Sequence, residues 1–287
     1  MKTVISASRR TDIPAFYMDW FMQGIRKGFF EVENPYHHKT FFVPASTADV
    51  HTIVFWSKNF DPFIAGGYGG QLQAYGYHLF FNFSVNSESA LLEPGLPRLE
   101  KRLTQLKYLC DHYGPETVNW RFDPVCFYRT DTHEIEDNLN DLSVIAGKAA
   151  AVGVRRCIMS FMDMYPKIRR RLTRQRGFDF VPVSMEMKID VLKKMSRTLG
   201  HLGISLQTCC ESELLERVAD DLPIGKSACI PNDLIMKLFG GRVSLGKDPG
   251  QRVKAGCGCF KSVDIGSYNR QPCYHNCLYC YANPCLS

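Results

Sequence analysis

The sequence predicts an α/β fold: a TIM-like parallel barrel, complete or partial, with a cysteine-rich C-terminal tail over its mouth. Three observations carry this expectation. Short runs rich in β-branched and aromatic residues alternate with longer stretches of helical spacing, the pattern of repeated βαβ units. Six or seven such units favour a closed parallel arrangement over an open sheet. From about residue 241 the chain becomes glycine-rich and irregular, and six of its twelve cysteines fall in the last thirty-one residues.

Taken in order, a first strand is expected at 4–7 and a helix at 14–27, with Pro14 in its first turn and Gly28 as its stop. Residues 29–43, FFEVENPYHHKTFFV, read as a hairpin turning at ENPY, an excursion from the barrel. Strands follow at 52–56, 78–85 and 118–122, with a helix at 97–112 entered at Pro97. A helix at 132–152, closed by Gly153, leads to a strand at 156–161. A helix at 185–199, closed by Gly200, leads to a strand at 204–208 and a helix at 212–220. A weak seventh strand is expected near 227–230 and a last helix near 232–239. The division that follows is a barrel over 1–240 and a tail over 241–287.

Hydrophobic residues make up 45% and charged residues 22% of the chain, the balance of a globular protein with a full core. No apolar run approaches the length of a membrane-spanning helix, so no membrane partner is expected. The N-terminal MKTVISASRRTDIP meets two arginines and an aspartate before any long apolar stretch; this is not a secretory signal, and the cytoplasm is the expected location. In that reducing compartment, clustered cysteines hold metal more often than they form disulfides. An isolated one such as Cys110 reads as a small buried hydrophobe. The net charge of +6 permits an anionic partner. Much of it comes from KIRRRLTRQR at 167–176, read as a solvated helix face ahead of a nucleic-acid contact because no aromatic is interleaved for stacking on bases.

The residues that end the expected strands form a series: SRRTD, SKN, SVN, RFDP, SFMDMY and TCCE. In a parallel barrel these points share one rim, where active sites are built. Arg9, Arg10, Lys58, Arg121, Asp123 and Asp163 are therefore expected to face one catalytic cavity, with Asp12 at its edge or capping the helix entered at Pro14. Their role is to bind and position a substrate, and the cations suit a carboxylate or phosphate.

The tail carries CYHNCLYCY at 273–281, in which Cys273, Cys277 and Cys280 can turn toward one centre. Structural zinc takes four ligands, usually from paired cysteines, whereas iron–sulfur clusters are held by thiolates. With Cys285 as a fourth ligand the centre would be a closed electron-transfer cluster; without it one iron would stay open to a small molecule. A second four-thiolate site is expected from Cys257 and Cys259 with Cys210 and Cys229 at the ends of the sixth and seventh strands. An iron–sulfur cluster is favoured there ahead of zinc.

CYHNCLYCY resembles the C-x3-C-x2-C signature of radical S-adenosylmethionine (SAM) enzymes, and its form is similar to a string in spore photoproduct lyase. Those enzymes place the motif after the first strand, whereas here it follows the last. The whole chain resembles the uncharacterised bacterial DUF1848 family through ISASRRTDIPAFY, VFWSKN, WRFDP, SFMDMY and CGCFKSVDIGSYN. The radical SAM resemblance implies a [4Fe–4S] cluster on Cys273, Cys277 and Cys280, SAM chelating the fourth iron, and Tyr279 near its adenine. It also implies a reductant such as flavodoxin or ferredoxin, and a small-molecule or nucleic-acid substrate. The GGE-type segment that those enzymes carry after the second strand is replaced here by SKN. The readings beside it are an iron–sulfur electron-transfer protein and a nucleic-acid-binding or repair protein.

Overall fold

The computed structural model describes residues 1–35, 37, 39–131, 134–175, 177–219 and 221–282. The chain opens with β1 (Thr3–Ala7), α1 (Ile13–Phe16) and α2 (Met18–Lys27), then the antiparallel hairpin β2 (Phe29–Glu33) and β3 (Thr40–Pro44). Next come β4 (Val50–Ser57), α3 (Asp61–Ala65), α4 (Tyr68–Ala74), β5 (His78–Ser84), α5 (Leu99–Tyr113) and β6 (Val118–Val125). Two short strands, β7 (Phe127–Arg129) and β8 (Ile135–Asp137), precede α6 (Leu142–Ala151) and β9 (Arg156–Phe161). The second half runs α7 (Pro166–Leu172), β10 (Asp179–Phe180), α8 (Met185–Gly200), β11 (Ser205–Thr208), α9 (Ser212–Val218), β12 (Gly225–Lys226), α10 (Asn232–Phe239) and β13 (Val263–Asp264).

Eight strands form one parallel sheet in the order β12-β11-β9-β6-β5-β4-β1-β13. Neighbours along the sheet follow one another along the chain, with β13 wrapping round to the far side of β1. The ends β12 and β13 are not paired among the described residues. The segments beside them are joined by a backbone bond from Phe260 N–H to Ile230 O at 3.1 Å. No described helix is long and apolar enough to cross a membrane.

Both faces of the sheet are covered, which is why its strands are apolar runs rather than alternating ones; all eight residues of β4 are buried. The period of two sorts their side chains. Ile5, Ile53, Phe55, Phe81 and Met159 pack against the helices α1 to α6, α8 and α9. Val4, Val54, Trp56, Phe80 and Ile158 face the other way, onto Ile230, α10 and the cysteines 229, 257 and 259. A third apolar group, with Leu92, Tyr128, Ile168, Phe180 and Leu278, lies under the tail.

Several expectations need correcting in detail. The helix expected at 14–27 breaks at Tyr17, whose φ of −133° is not helical. The helix expected at 132–152 begins only at Leu142, and Ile135–Asp137 is a strand; residues 132 and 133 lie outside the described residues. The cause is the Asp/Asn-rich stretch before it: Asp137 Oδ1 accepts from Leu139 N–H, a local bond that competes with helix, and Asn138 Oδ1 accepts from the more distant Cys126 N–H. The seventh strand lies at Gly225–Lys226, just before the expected 227–230. The stretch from 241 supplies the eighth strand, which the sequence reading did not anticipate.

Candidate functional site

The C-x3-C-x2-C loop follows β13 and lies over the C-terminal ends of the parallel strands, held by bonds from many elements. Asp12 is the principal anchor. Its Oδ1 caps α1 by accepting from Ala15 N–H at 3.0 Å. Its Oδ2 accepts from Ser57 Oγ–H at 2.9 Å, Lys58 N–H at 2.9 Å and His275 Nε2–H at 2.8 Å. One buried carboxylate thus ties the loops after the first two sheet strands to the histidine inside CYHNC. The loop also runs beside residues 92–95, with Gly95 N–H bonded to His275 O and Leu278 N–H to Leu92 O, both at 3.0 Å. A Cβ on Gly95 would stand 2.6 Å from Tyr274 O and 2.8 Å from His275 Cα, so glycine is required by close approach. Arg171, from the basic run on α7, points inward and donates to the carbonyls of Cys277 and Cys280. Tyr281 Oη–H donates to Arg9 O at 2.7 Å.

Beneath the loop is a buried charge network. Lys58 Nζ donates to Glu93 Oε1 at 2.8 Å, and Arg102 Nη1 lies 3.6 Å from Glu93 Oε2. Tyr279 Oη–H donates to the same carboxylate, and the Tyr279 ring lies under Lys58 Nζ at 5.3 Å from its centroid. Asn86 bridges this group to Asp123, whose backbone N–H donates to Asn86 Oδ1 at 2.8 Å. Burial by itself would push the Glu93 carboxyl up, but Lys58 and Arg102 outweigh it and hold the group below its ordinary range. Burial likewise opposes the Lys58 charge, and Glu93 overcomes it, leaving the ammonium above its ordinary range. Desolvation raises the Cys277 and Cys280 thiols, with Lys58 opposing it at both and Arg171 at Cys280.

A second concentration of sulfur lies where β11 and β12 end. The sulfurs of Cys209, Cys210 and Cys257 lie within 4.8 Å of one another and could hold a metal ion. Cys209 and Cys210 are 3.7 Å apart. Cys229 and Cys259 lie with Cys257 in one buried apolar group against which Cys209 and Cys210 also pack, a concentration of five sulfurs. Two guanidiniums border the group: Arg9 and Arg121 each lie 5.0 Å from the centroid of the Trp56 ring. Arg9 lies near enough to Cys259, and Arg121 to Cys229 and Cys209, for their charges to interact.

The expected rim residues sort by partner into groups, two of which touch, since Lys58 Nζ also donates to Asp123 O at 3.3 Å. Asp12, Lys58 and the cysteine loop stand together. Arg9 and Arg121 belong with the sulfur group, Arg121 pairing with Asp123, which also accepts from Ser160 Oγ–H. Arg10 is turned toward β13, donating to Gly266 O at 3.0 Å, with Asp264 3.9 Å away. Asp163 is about half exposed and pairs with Arg252. Cys285 lies outside the described residues. The sequence reading missed Glu93, His275, Trp56 and Cys209. His275 stood between two singled-out cysteines and Cys209 beside one, so both had a signal; Glu93 sits in a stretch with no periodicity.

Fold and site together define an α/β protein whose parallel strands end beneath a cysteine-bearing loop. The chain belongs to the family described as a domain of unknown function, DUF1848, whose family model matches residues 4–282. No curated protein matches it. Among solved structures, it is similar to a Pseudomonas aeruginosa protein provisionally described as a dihydrodipicolinate synthetase. That similarity is at 13% identity and a TM-score of 0.29, covering 83% of this chain and 75% of the other.

Proposed function

We propose that this protein is an iron–sulfur enzyme of the radical SAM type, working at the strand ends of a TIM-like barrel on an anionic substrate. The observation that carries the reading is the placement of the cysteine loop. It stands over the C-terminal strand ends, where barrel enzymes do chemistry, and Asp12 and His275 lock it there. Cys273, Cys277 and Cys280 would hold a [4Fe–4S] cluster. The donor set fits: three thiols, buried or half-buried, with the cations Lys58 and Arg171 beside them to offset thiolate charge.

Bound and reduced with SAM, such a cluster supplies a 5′-deoxyadenosyl radical for hydrogen abstraction. The chain's own residues do the positioning. Tyr279, the aromatic of the motif, is buried beneath the cluster loop and held by Glu93, so its part is to fix the loop. Arg10 and Lys167 line a cavity of about 180 Å³ with Glu33, Pro35 and Ser267, Tyr268 and Asn269 of the tail, where the two cations outnumber the one carboxylate and could pair with a carboxylate or phosphate.

The test is anaerobic reconstitution with iron and sulfide counted, followed by reduction in the presence of SAM. The reading expects about four irons on the cysteine loop and release of 5′-deoxyadenosine. Replacing Cys273, Cys277 and Cys280 by alanine should abolish both. Unchanged iron in that variant, or a loaded and reduced protein that leaves SAM intact, would overturn it.

A further inference from the structure

We propose that Cys209, Cys210 and Cys257 bind a single metal ion of the zinc class where β11 ends, with the fourth position of that ion open to a ligand from solution. The three sulfurs lie within 4.8 Å of one another, and those of Cys209 and Cys210 are 3.7 Å apart. Two thiolates at about 2.3 Å from one tetrahedral centre stand roughly 3.8 Å apart, so the pair is already at single-ion spacing. The cysteines of a [4Fe–4S] core sit on separate irons and spread further than this. Among the described residues no fourth cysteine, histidine or carboxylate joins the three within the same distance. The set therefore differs from the expected one. Cys209 enters it, and Cys229 and Cys259 stay outside it, packed in the apolar group that also holds Cys257.

The backbone gathers these sulfurs without help from an ion. Successive side chains of a strand point to opposite faces, so vicinal cysteines ordinarily keep their sulfurs apart. Here the strand stops between them. Cys209 N–H still donates to Met159 O at 2.8 Å, continuing the pairing of β11 with β9. Cys210 is left-handed, with φ of 63°, a conformation that a residue with a Cβ seldom adopts and that functional sites retain. That turn brings its sulfur round to Cys209. Cys257 arrives from the tail between two glycines. A Cβ on Gly256, whose φ is 98°, would stand 3.1 Å from Ser212 N at the start of α9, and one on Gly258 would stand 2.2 Å from Ser227 O. The turn is thus pressed between the segments that follow β11 and β12, and Cys257 N–H donates to Arg252 O at 3.1 Å.

Exposure and charge fit an open ion. Cys257 is buried, whereas Cys209 and Cys210 are half-buried, so solution reaches the trio from their side. Sulfur donors select a soft tetrahedral ion, and three protein ligands leave its fourth vertex to water. Three thiolates on a divalent ion leave a net charge of about −1, which needs a cation close by. Arg121 lies within charge range of Cys209, and Arg252 within range of Cys210. Arg121 Nε is a buried donor without a partner, and an N–H···S bond to a coordinated thiolate would satisfy it.

The site shares no ligand with the C-x3-C-x2-C loop and does not depend on the radical SAM reading. In protein lacking Cys273, Cys277 and Cys280, one zinc per chain should remain, and X-ray absorption at the zinc edge should show three sulfurs and one lighter neighbour. Excess 2-mercaptoethanol should replace that neighbour by a fourth sulfur and, in the cobalt(II) form, shift the d–d bands. Cys209→Ser, Cys210→Ser and Cys257→Ser should each weaken zinc binding by more than about 100-fold. Cys229→Ser and Cys259→Ser should keep it within about 10-fold, the comparison being made among variants with the parent's circular dichroism. The intact protein supplies a check that needs no variant: with zinc bound, iodoacetamide should spare Cys209 and Cys210, and a chelator should expose both. Four sulfurs on the ion before thiol is added, iron and sulfide in its place, no metal retained, equal loss from Cys229→Ser and Cys210→Ser, or labelling of Cys210 regardless of zinc would each overturn the proposal.

Discussion

Replacing Asp12 by asparagine tests whether the cysteine loop is locked to the rim by one carboxylate. The change is nearly isosteric and keeps Oδ1 as the cap for Ala15 N–H, so the helix start is spared. The other oxygen becomes an amide NH2 facing three donors. The Ser57 hydroxyl can rotate to accept. His275 can switch tautomer, donating through Nδ1 to Gly95 O at 3.3 Å instead. Lys58 N–H has no such option and is left opposed to another donor, at about 1–3 kcal/mol. Loss of the charge-assisted part of the His275 bond adds about 1 kcal/mol. The sum is roughly 2–4 kcal/mol, and at about 2–4 °C per kcal/mol for a large domain the melting point should fall by roughly 5–15 °C. Thermal denaturation measures the total, and amide hydrogen exchange locates it: peptides covering 270–282 should lose protection more than the central strands. An asparagine variant within about 0.5 kcal/mol of the parent, the ordinary spread of harmless surface changes, would refute the reasoning. So would unchanged protection of the loop.

Glu93→Gln should destabilise at neutral pH by about 3–5 kcal/mol, because Lys58 and Arg102 are left buried without their counter-charge. The sign with pH follows from the lowered carboxyl: its contribution is present above the unfolded value of about 4.3 and is lost as pH falls through the lower folded value. Urea midpoints of parent and variant should therefore converge in acid; a constant gap down to the acid limit would contradict this. Lys58 gives the opposite arm, its contribution holding below the unfolded value of about 10.4 and fading as pH rises through the raised folded one. Gly95→Ala should push the tail off residues 92–95 at a cost of about 1–3 kcal/mol, since the added methyl meets backbone, and limited proteolysis should then cut near 273–281. A variant as resistant as the parent would count against that close packing.

Much of the sheet was legible because strands buried on both faces leave continuous apolar runs, as in Thr52–Trp56. The two strands that complete it were not. Gly225–Lys226 contains no strand former and Val263–Asp264 is two residues long, so each is a strand through its neighbours' hydrogen bonds, a property of the assembled fold. Asp264 shows how such a strand is held without length: its carboxylate accepts from Ser6 Oγ–H, Ser8 Oγ–H and Arg9 N–H of the first strand and its loop. The spacing of Cys273, Cys277 and Cys280 was readable because those residues are close in sequence. The separation of the rim cations was not, because Glu93, Asp248 and Asp264, which draw them apart, come from distant segments. Cys209 and Cys210 are adjacent, and only the left-handed turn at Cys210 distinguishes their directions.

The position of Trp56 makes the sulfur group optically visible. The protein has three tryptophans. Trp120 is fully buried on the helix-covered face, donating to Val85 O, and Trp20 packs on Phe30. Trp56 alone of the three lies in the apolar group that contains Cys229, Cys257 and Cys259. Its excited indole is therefore an emitter beside whatever those sulfurs hold. A filled-shell ion has no electron to exchange and no low-lying colour to absorb its light, so zinc leaves the emission standing. An iron–sulfur core does both and extinguishes it. In protein lacking Cys273, Cys277 and Cys280, the part of the emission lost when Trp56 is replaced by phenylalanine reports the occupant of this sulfur group.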